Sequence, residues 1–305
     1  MDHLTVKVPA KLNLALSVGA LDERAMHPIA SWMTTISLCD ELSLIKLAND
    51  GPSRFATIWH NDAVVSGDLD WPLATDLVAR AHRLLESTTG RSLPIQATLR
   101  KRIPLGGGLG GGSSDAAAML LSLCQLFDLK IGQLTLMKLA HSLGSDVPFF
   151  IQGGHALVEG IGENVTPIEH TAEIHAVLAF PPVMCSSGTV YGIFDELAPS
   201  NLPQVNRKKI EQLYNSLNPE NPFNDLTEAV FKGFPELEDL SKQIQRIAER
   251  PAHISGSGST LFVLCDDPLH AEHLASALNT QLKIPCLSIS SGQGVAMMTD
   301  STDNA

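Results

Sequence analysis

The chain has 305 residues, of which 44% are hydrophobic, and its formal charge is −12 at pH 7. This length and composition suffice to bury one or two hydrophobic cores. The acidic balance argues against nucleic-acid binding, which requires a basic face. No apolar run reaches the length of about 18 residues that indicates a membrane span, and the N-terminus lacks the regions of a signal peptide.

Five cysteines are scattered widely along the chain. Their odd number and their spacing fit neither a disulfide framework nor a zinc site, so we expect reduced structural thiols. Together these features predict a cytoplasmic enzyme that is a monomer or a homodimer, without a membrane or nucleic-acid partner. The cysteines are Cys39, Cys124, Cys185, Cys265 and Cys286.

Hydrophobic periodicity predicts alternating strands and helices in the first half of the chain. A glycine-rich loop follows the third predicted strand and leads into an apolar helix that begins near Ser113. The predicted strands are 5–18, 32–47 and 93–99, and the predicted helices are 75–87, 113–126 and 132–143.

The second half mixes the same two kinds of element. Residues 199–222 are rich in proline and predict a surface excursion, and the tail 299–305 is polar and predicted to fray. The pattern breaks at 152–156, so we expect α+β domains at 1–154 and 155–305. The predicted strands are 155–160, 174–180, 261–265 and 286–290, and the predicted helices are 223–231, 235–250 and 268–281.

The most informative segment is 104–118, Pro-Leu-Gly-Gly-Gly-Leu-Gly-Gly-Gly-Ser-Ser-Asp-Ala-Ala-Ala. Glycines let consecutive backbone N–H groups converge on an anion, and the helix start adds a positive dipole. The predicted ligand is a nucleoside triphosphate. The predicted contacts are Pro104, Gly106, Gly107, Gly108, Leu109, Gly110, Gly111, Gly112, Ser113 and Ser114. Lys101 is a further candidate contact for adenine or phosphate, although an exposed strand lysine is an equally good interpretation.

Two well-known glycine motifs fit this loop poorly. The Walker A motif requires a lysine after its last glycine, but here Ser113 follows Gly112. The dinucleotide motif is matched literally by glycines of the loop. However, it should follow a buried apolar strand, whereas 95–104 alternates and carries three cationic residues. A flexible linker is disfavoured because an apolar helix follows at once.

The loop resembles instead the second motif of the GHMP small-molecule kinases. Residues 9–16, Pro-Ala-Lys-Leu-Asn-Leu-Ala-Leu, are similar to the first motif of that family, and 254–262, Ile-Ser-Gly-Ser-Gly-Ser-Thr-Leu-Phe, to the third. The resemblance implies an N-terminal domain like ribosomal protein S5 domain 2 and a ferredoxin-like C-terminal domain. It also implies the use of ATP and Mg²⁺. The tripled glycine before Ser-Ser is most similar to the branch that phosphorylates 4-diphosphocytidyl-2-C-methyl-D-erythritol.

The resemblance also implies the catalytic residues. It identifies Asp146, in Leu-Gly-Ser-Asp-Val-Pro-Phe-Phe, as the base that accepts the proton of the acceptor hydroxyl. Lys11 would keep that carboxylate ionised and orient the alcohol. Taken singly, Asp146 would be interpreted as a turn cap and Lys11 as a surface lysine.

Metal binding is the least determined part of the implied site. Ser113 or Ser114 would ligate Mg²⁺ through its hydroxyl oxygen, and the residues do not decide which. Asp115 lies in the first helical turn, where stabilising the helix dipole is at least as good an interpretation as a metal role.

The implied acceptor site contains Asn13, His27, Tyr191, Gly256 and Ser257. The chain departs from the family here, because Met26 stands where an aromatic residue commonly precedes the histidine. Tyr191 is expected to supply a second stacking face for the base. Two alternatives stay open, a GHMP kinase for another small alcohol and a catalytically silent nucleotide sensor.

A second departure concerns the adenine side, where Thr-Asp-Leu-Val at 75–78 replaces the asparagine that the family often places at a helix start. Asp76 is a good N-cap, so we expect the helix to form.

Overall fold

The structure, a computed structural model, describes residues 2–48, 51–169, 172–197, 205–215, 221–292 and 296–298. It contains two β-sheets with helices packed against them, which confirms the predicted α+β class. The strands are β1 (His3–Val18), β2 (Ile29–Lys46), β3 (Arg54–Trp59), β4 (Ile95–Lys101), β5 (His155–Gly160), β6 (Asn164–Pro167), β7 (His175–Ala179), β8 (Phe223–Asn224), β9 (His253–Ile254), β10 (Leu261–Cys265), β11 (Cys286–Ser290) and β12 (Ala296–Met298). The helices are α1 (Leu77–Thr89), α2 (Gly111–Leu126), α3 (Gln133–Leu143), α4 (Val147–Gln152), α5 (Ser187–Leu197), α6 (Arg207–Asn215), α7 (Thr227–Gly233), α8 (Pro235–Ala248) and α9 (Pro268–Leu282).

The first sheet is built on the long antiparallel pair β1 and β2. Its main order is β12-β1-β2-β4-β3, and β5 pairs with both β2 and β6. The N-terminal part of β1, with Leu4, Val6 and Val8, shares a core with the alanines of α2. Further along β1, Leu12 and Leu14 share a core with residues of the second sheet such as Phe262. Strand β1 therefore has buried neighbours on both faces.

The second sheet has the antiparallel order β11-β7-β10-β9. Helix α9 covers it through buried Ala271, Leu274 and Leu278, and α7 and α8 add Val230 and Leu237 to the same core. The sequence predicts β7, β10, β11, α8 and α9 within a few residues of their observed bounds, because the apolar residues of each recur with a clear periodicity.

Helix α1 shows how the chain fixes a helix beside the first sheet. Asp76 lies at the N-cap, and its side chain accepts a hydrogen bond of 2.8 Å from the Ala79 backbone N–H. Gly90 ends the helix in the left-handed conformation, with φ 63°. The predicted N-cap role of Asp76 is confirmed.

The first sheet extends beyond the predicted domain boundary. Strand β5, which that boundary assigns to the second domain, pairs with β2 from Ile29–Gly160 to Thr34–His155. Strands β8 and β12, from late in the chain, also pair with β1. Sequence order therefore does not separate the two sheets at residue 154.

Several elements differ from the sequence-based expectation. Helix α6 lies inside the predicted excursion 199–222, of which 199–204 and 216–220 are outside the described residues, as is the tail 299–305. Helices α4 and α5 and strands β3 and β6 were not predicted. None of the helices in the described ranges has the length and apolarity that a bilayer crossing requires. All five cysteines, which lie in those ranges, are free thiols as expected.

Candidate active site

The glycine-rich loop leads directly into helix α2, which begins at Gly111 rather than near Ser113. Gly110 is the N-cap residue, with φ 70°, and no side chain in the described part of the chain caps this helix end. The first backbone N–H groups of α2 are therefore available to an external acceptor. With the positive end of the helix dipole, they form an anion site.

Close packing explains why two positions of the loop require glycine. At Gly108, φ is 72° and an added Cβ would lie 2.2 Å from the carbonyl oxygen of Ser255. At Gly110, a Cβ would lie 2.9 Å from the ring of Phe150. A carbon atom does not fit that close to a backbone oxygen or to a packed aromatic ring. These glycines therefore allow close contacts within the protein as well as access for a ligand.

Backbone hydrogen bonds bring the three motifs together at this loop. The Lys11 N–H donates to the Leu109 carbonyl at 3.0 Å, and the Thr260 N–H donates to the Gly107 carbonyl at 3.2 Å. The Ser255 hydroxyl donates to the Gly108 carbonyl at 3.1 Å. The first and third motifs thus both bind the loop through hydrogen bonds to its carbonyl groups.

Lys11 and Asn13 lie on the same side of β1, because side chains alternate along a strand. The register of β1 against β2 shifts between Pro9 and Lys11 and again between Asn13 and Ala15. Such bulges often re-aim side chains near functional sites. Lys11 Nζ donates to Asn13 Oδ1 at 2.5 Å, and the Asn13 amide donates to the Ser31 hydroxyl at 2.8 Å.

The structure places Lys11 next to Asp146, as the sequence predicts. Lys11 Nζ lies 3.8 Å from Asp146 Oδ2, and the lysine side chain is 4% exposed whereas the aspartate is 33% exposed. Burial lowers the pKa of Lys11, and the charge of Asp146 offsets part of that shift. Asp146 precedes α4, but within the described structure its carboxylate makes no capping hydrogen bond. The carboxylate therefore faces the lysine.

The two candidate metal ligands differ in their surroundings. The Ser114 hydroxyl is fully buried and donates to the Pro9 carbonyl at 2.6 Å. Ser113 is half-buried, and its Oγ would lie 3.9 Å from a Cβ added at Gly144. Ser113 Oγ therefore lies beside Gly144, two residues before Asp146, and its role as a metal ligand stays a prediction.

Lys101 is buried beneath the start of α2 and is not an exposed strand lysine. Its ammonium donates to Asp40 Oδ2 and, at 2.7 Å, to Asp115 Oδ2. Asp40 Oδ1 also accepts the backbone N–H groups of Arg102, at 2.5 Å, and Ile103, at 2.8 Å. This cluster of Asp40, Lys101 and Asp115, here called the buried triad, connects β2, β4 and α2 at the two ends of the glycine loop.

The buried triad also changes the interpretation of Asp115. Its side chain is only 4% exposed, so it does not sit at the surface of the first helical turn. Asp115 Oδ1 has no hydrogen-bond partner among the described residues. Burial raises the pKa of Asp115 to about 8, although the Lys101 ammonium opposes the shift. A direct contact of Lys101 with ATP stays a prediction.

The residues that were predicted to bind the nucleobase of the acceptor come together at α5. The rings of His27 and Tyr191 are stacked with centroids 5.2 Å apart, and Met26 beside them is 42% exposed. The His27 Nδ1–H donates to the Gly19 carbonyl at 2.7 Å. Burial, and to a lesser extent the charge of Asp146, raises the pKa of Tyr191 to about 12. Tyr191 therefore lies against His27 and close enough to Asp146 to be influenced by its charge.

Gly256 and Ser257 belong to the loop of the third motif. A Cβ added at Gly256 would lie 3.3 Å from Lys11 Nζ, which places this glycine against the lysine. The Ser257 hydroxyl lies 2.8 Å from that of Ser187, at the start of α5. The Asn224 amide donates to the Gly256 carbonyl at 2.7 Å and so fixes the loop.

Sequence reasoning did not find Asp40, Asn224 or Asp195 as residues of this site. Asp195 Oδ1 lies 3.1 Å from His27 Nε2. It could have been found from its place four residues after Tyr191, had the helix been predicted. Asp40 is an acidic residue within an apolar strand pattern, which is a signal for a buried ion pair.

Comparison with known proteins gives a consistent result along the chain. Residues 76–154 match the family model of the GHMP kinases N-terminal domain, and residues 201–284 match that of the GHMP kinases C-terminal domain. A 4-diphosphocytidyl-2-C-methyl-D-erythritol kinase of Dehalococcoides mccartyi is 34% identical over 274 residues, which cover 89% of this chain and 92% of the relative. A kinase of the same name from Deinococcus radiodurans is 35% identical over 275 residues, which cover 88% of this chain and 87% of the relative.

Solved structures give the same picture. A crystal structure of 4-(cytidine 5'-diphospho)-2C-methyl-D-erythritol kinase superposes with a TM-score of 0.76 and 31% identity, and covers 95% of this chain and 100% of that one. Homoserine kinase from Cytophaga hutchinsonii superposes with a TM-score of 0.71 at 20% identity, and the match covers 98% of each chain. The second match shows similarity of fold alone.

Proposed function

The chain belongs to the GHMP kinase family, and from that premise we propose that it transfers the γ-phosphate of ATP to the 2-hydroxyl of 4-diphosphocytidyl-2-C-methyl-D-erythritol. This alcohol lies on the non-mevalonate route to isoprenoid precursors. Relatives that are 34% and 35% identical over most of this chain carry the name of that kinase. An enzyme of this kind accounts for the anion site and the ion pair beside it.

The observation that carries the proposal is the pair of Lys11 and Asp146 beside the uncapped start of α2. A phosphoryl group bound at the helix start needs a nucleophile on its far side and positive charge around it. Lys11 supplies the charge, and Asp146 supplies a carboxylate 3.8 Å away. A nucleotide sensor would need the glycine loop but neither of these two residues.

Asp146 acts as the base in this reaction. The pKa of the acceptor alcohol lies far above 7, so its proton must pass to a positioned group as the phosphoryl transfer proceeds. Asp146 is one-third exposed and faces the side chain of a buried lysine. Lys11 places its ammonium 3.8 Å from the carboxylate, and Asn13 fixes the direction of the ammonium through its 2.5 Å hydrogen bond.

The residues present also fit a magnesium ion carried mainly by phosphates. The described part of the chain holds no group of three or more His, Cys, Asp or Glu side chains that could bind a metal alone. Mg²⁺ commonly keeps several waters and binds through few protein ligands together with phosphates. Ser113 would contribute its hydroxyl oxygen. When bound, Mg²⁺ neutralises charge on the phosphates.

The acceptor binds along α5 in this proposal. Tyr191 stacks on His27, and Met26 precedes His27 and is exposed, so a cytosine ring would stack against these residues. Gly256 and Ser257 border the path from this subsite to Lys11. The alcohol end of the acceptor would thus reach Asp146 while its base remains at α5.

The test is acceptor-dependent ADP release from Mg²⁺-ATP, with the product identified by phosphorus NMR. We expect turnover with 4-diphosphocytidyl-2-C-methyl-D-erythritol and a new phosphate monoester on its 2-hydroxyl. Homoserine and mevalonate, offered at the same concentration, serve as control acceptors. Faster turnover with either control would reassign the substrate. ATP binding without turnover on any alcohol would favour the nucleotide sensor.

A further inference from the structure

Two hydrogen bonds connect Lys11 to a buried serine to which no role has been given so far. Ser31 is completely buried on β2, where β1 and β5 flank it on the two sides. Its hydroxyl donates to the Ala15 carbonyl at 2.6 Å and accepts the Asn13 amide at 2.8 Å. Both contacts lie at the bulge of β1 between Asn13 and Ala15. Ser31 therefore joins the interior of the first sheet to the residue that holds the lysine.

The direction of each hydrogen bond follows from which atoms can donate. A carbonyl oxygen can only accept, so the single proton of the Ser31 hydroxyl goes to Ala15. The Ser31 oxygen is left as an acceptor, which turns the amide nitrogen of Asn13 toward it. The amide oxygen of Asn13 consequently faces Lys11, whose ammonium can only donate. The reverse orientation would set amide donors against the ammonium and leave two oxygens facing each other without a proton between them.

The Lys11 ammonium depends on this oriented amide for its position. Within the described ranges it makes one hydrogen bond, to Asn13 Oδ1, while Asp146 Oδ2 lies beyond hydrogen-bond distance at 3.8 Å. A lysine ammonium has three donors on a flexible four-carbon stem, so two donors remain for the groups that react. The contact with Asn13 therefore fixes the charge that faces Asp146.

We propose that Ser31 is a positioning residue of the phosphoryl transfer, which acts through Asn13 to hold the Lys11 ammonium beside Asp146. This inference rests on the proposed function, which assigns Lys11 and Asp146 to that reaction. Without the Ser31 hydroxyl, the Asn13 amide loses its acceptor and can turn, and the ammonium loses its fixed partner. Because Ser31 is completely buried, it contacts neither ATP nor the alcohol in this proposal. Its loss should slow the transfer step and leave binding unchanged.

The experiment compares wild type, Ser31→Ala, Ser31→Thr and Ser17→Ala. Ser17 is the matched control, because it is a buried serine of the neighbouring strand β1 and lies opposite Ala30. Its hydroxyl also makes two hydrogen bonds, donating to Asp225 Oδ2 at 2.9 Å and accepting the Asn206 N–H at 3.0 Å. Each variant is assayed for kcat, for the KM of the cytidine acceptor, for the Kd of ATP and for stability to urea.

We expect Ser31→Ala to lower kcat by about tenfold or more and to leave KM and the ATP Kd within about twofold, because a small displacement of a positioned group slows the reaction itself. Ser17→Ala should keep a kcat close to that of wild type, although it too loses a buried hydroxyl. Ser31→Thr keeps the hydroxyl and suits a strand, so it should restore most of kcat. Equal kcat values for Ser31→Ala and Ser17→Ala would overturn the proposal and assign Ser31 a purely structural role.

The side-chain amide of Asn13 gives a measurement that does not depend on turnover. Its exchange with water is followed by NMR in protein labelled on asparagine. We expect exchange to be about tenfold faster in Ser31→Ala than in wild type or Ser17→Ala, as the loss of one hydrogen bond allows. That result in a protein that phosphorylates no alcohol would support the role of Ser31 in orienting Asn13 and refute the proposed kinase function. Equal exchange in all three proteins would overturn the proposal.

Discussion

The buried triad predicts that Lys101→Met strongly destabilises the protein. The substitution keeps most of the side-chain volume but leaves Asp40 and Asp115 without their shared cation. Asp40 is completely buried, and among the described residues it would retain the backbone N–H groups of Arg102 and Ile103 as donors. Breaking a buried ion pair by removing one partner costs about 3–5 kcal/mol. We expect a loss of that size in the free energy of unfolding, measured by urea denaturation.

Arg100→Met is the matched control, because Arg100 lies on the same strand and pairs with Glu41 at 3.0 Å while 39% exposed. Exposed pairs contribute about 0–1 kcal/mol, so this variant should remain close to wild type. Adding Asp115→Leu to Lys101→Met should restore part of the lost stability, since one buried polar group that has lost its partner is removed. Equal destabilisation by Lys101→Met and Arg100→Met would refute the reasoning.

Three further predictions follow from the site. The raised pKa of Asp115, about 8 against its usual 3.8, means that the folded state binds more protons between these values, so the free energy of unfolding should fall as pH rises from about 4 to about 8. Asp115→Asn should flatten that dependence in urea denaturation, and an unchanged slope would contradict it. Met26→Tyr should tighten binding of the cytidine substrate by about fivefold, because aromatic stacking contributes about 1–3 kcal/mol and a methionine–ring contact about 0.3–1.5; equal Kd values in calorimetry would count against stacking. Gly108→Ala should abolish ATP binding measured by calorimetry, because its Cβ would lie 2.2 Å from a backbone oxygen, and retained ATP affinity would show that the loop can rearrange.

Local patterns in the sequence were sufficient for the parts of the fold that are regular along the chain. Strands β1 and β2 alternate, α1 has a capping aspartate, and α2 follows a loop whose glycines have no other good interpretation. The pairing of Lys11 with Asp146 came from the family resemblance, since each residue alone has a more ordinary interpretation. The structure then places the two side chains 3.8 Å apart.

Features that depend on long-range contacts could not be predicted. Lys101 binds Asp40, which is 61 residues away, and no local pattern indicates that a lysine beside two arginines is buried. Helix α4 is almost wholly apolar and therefore shows no helical period, and α5 begins with Ser-Gly-Thr, which is typical of a loop. The pairing of β5 with β2 is a long-range contact, so the break in the sequence pattern at 152–154 does not reveal it.

The assignment of Asp146 as the base is tested most directly by measuring kcat and the ATP dissociation constant of Asp146→Asn with the cytidine substrate. Loss of a general base costs about 10²-fold or more, so we predict that kcat falls at least about 100-fold while ATP affinity is retained. A kcat close to that of wild type would contradict the assignment of Asp146 as the base.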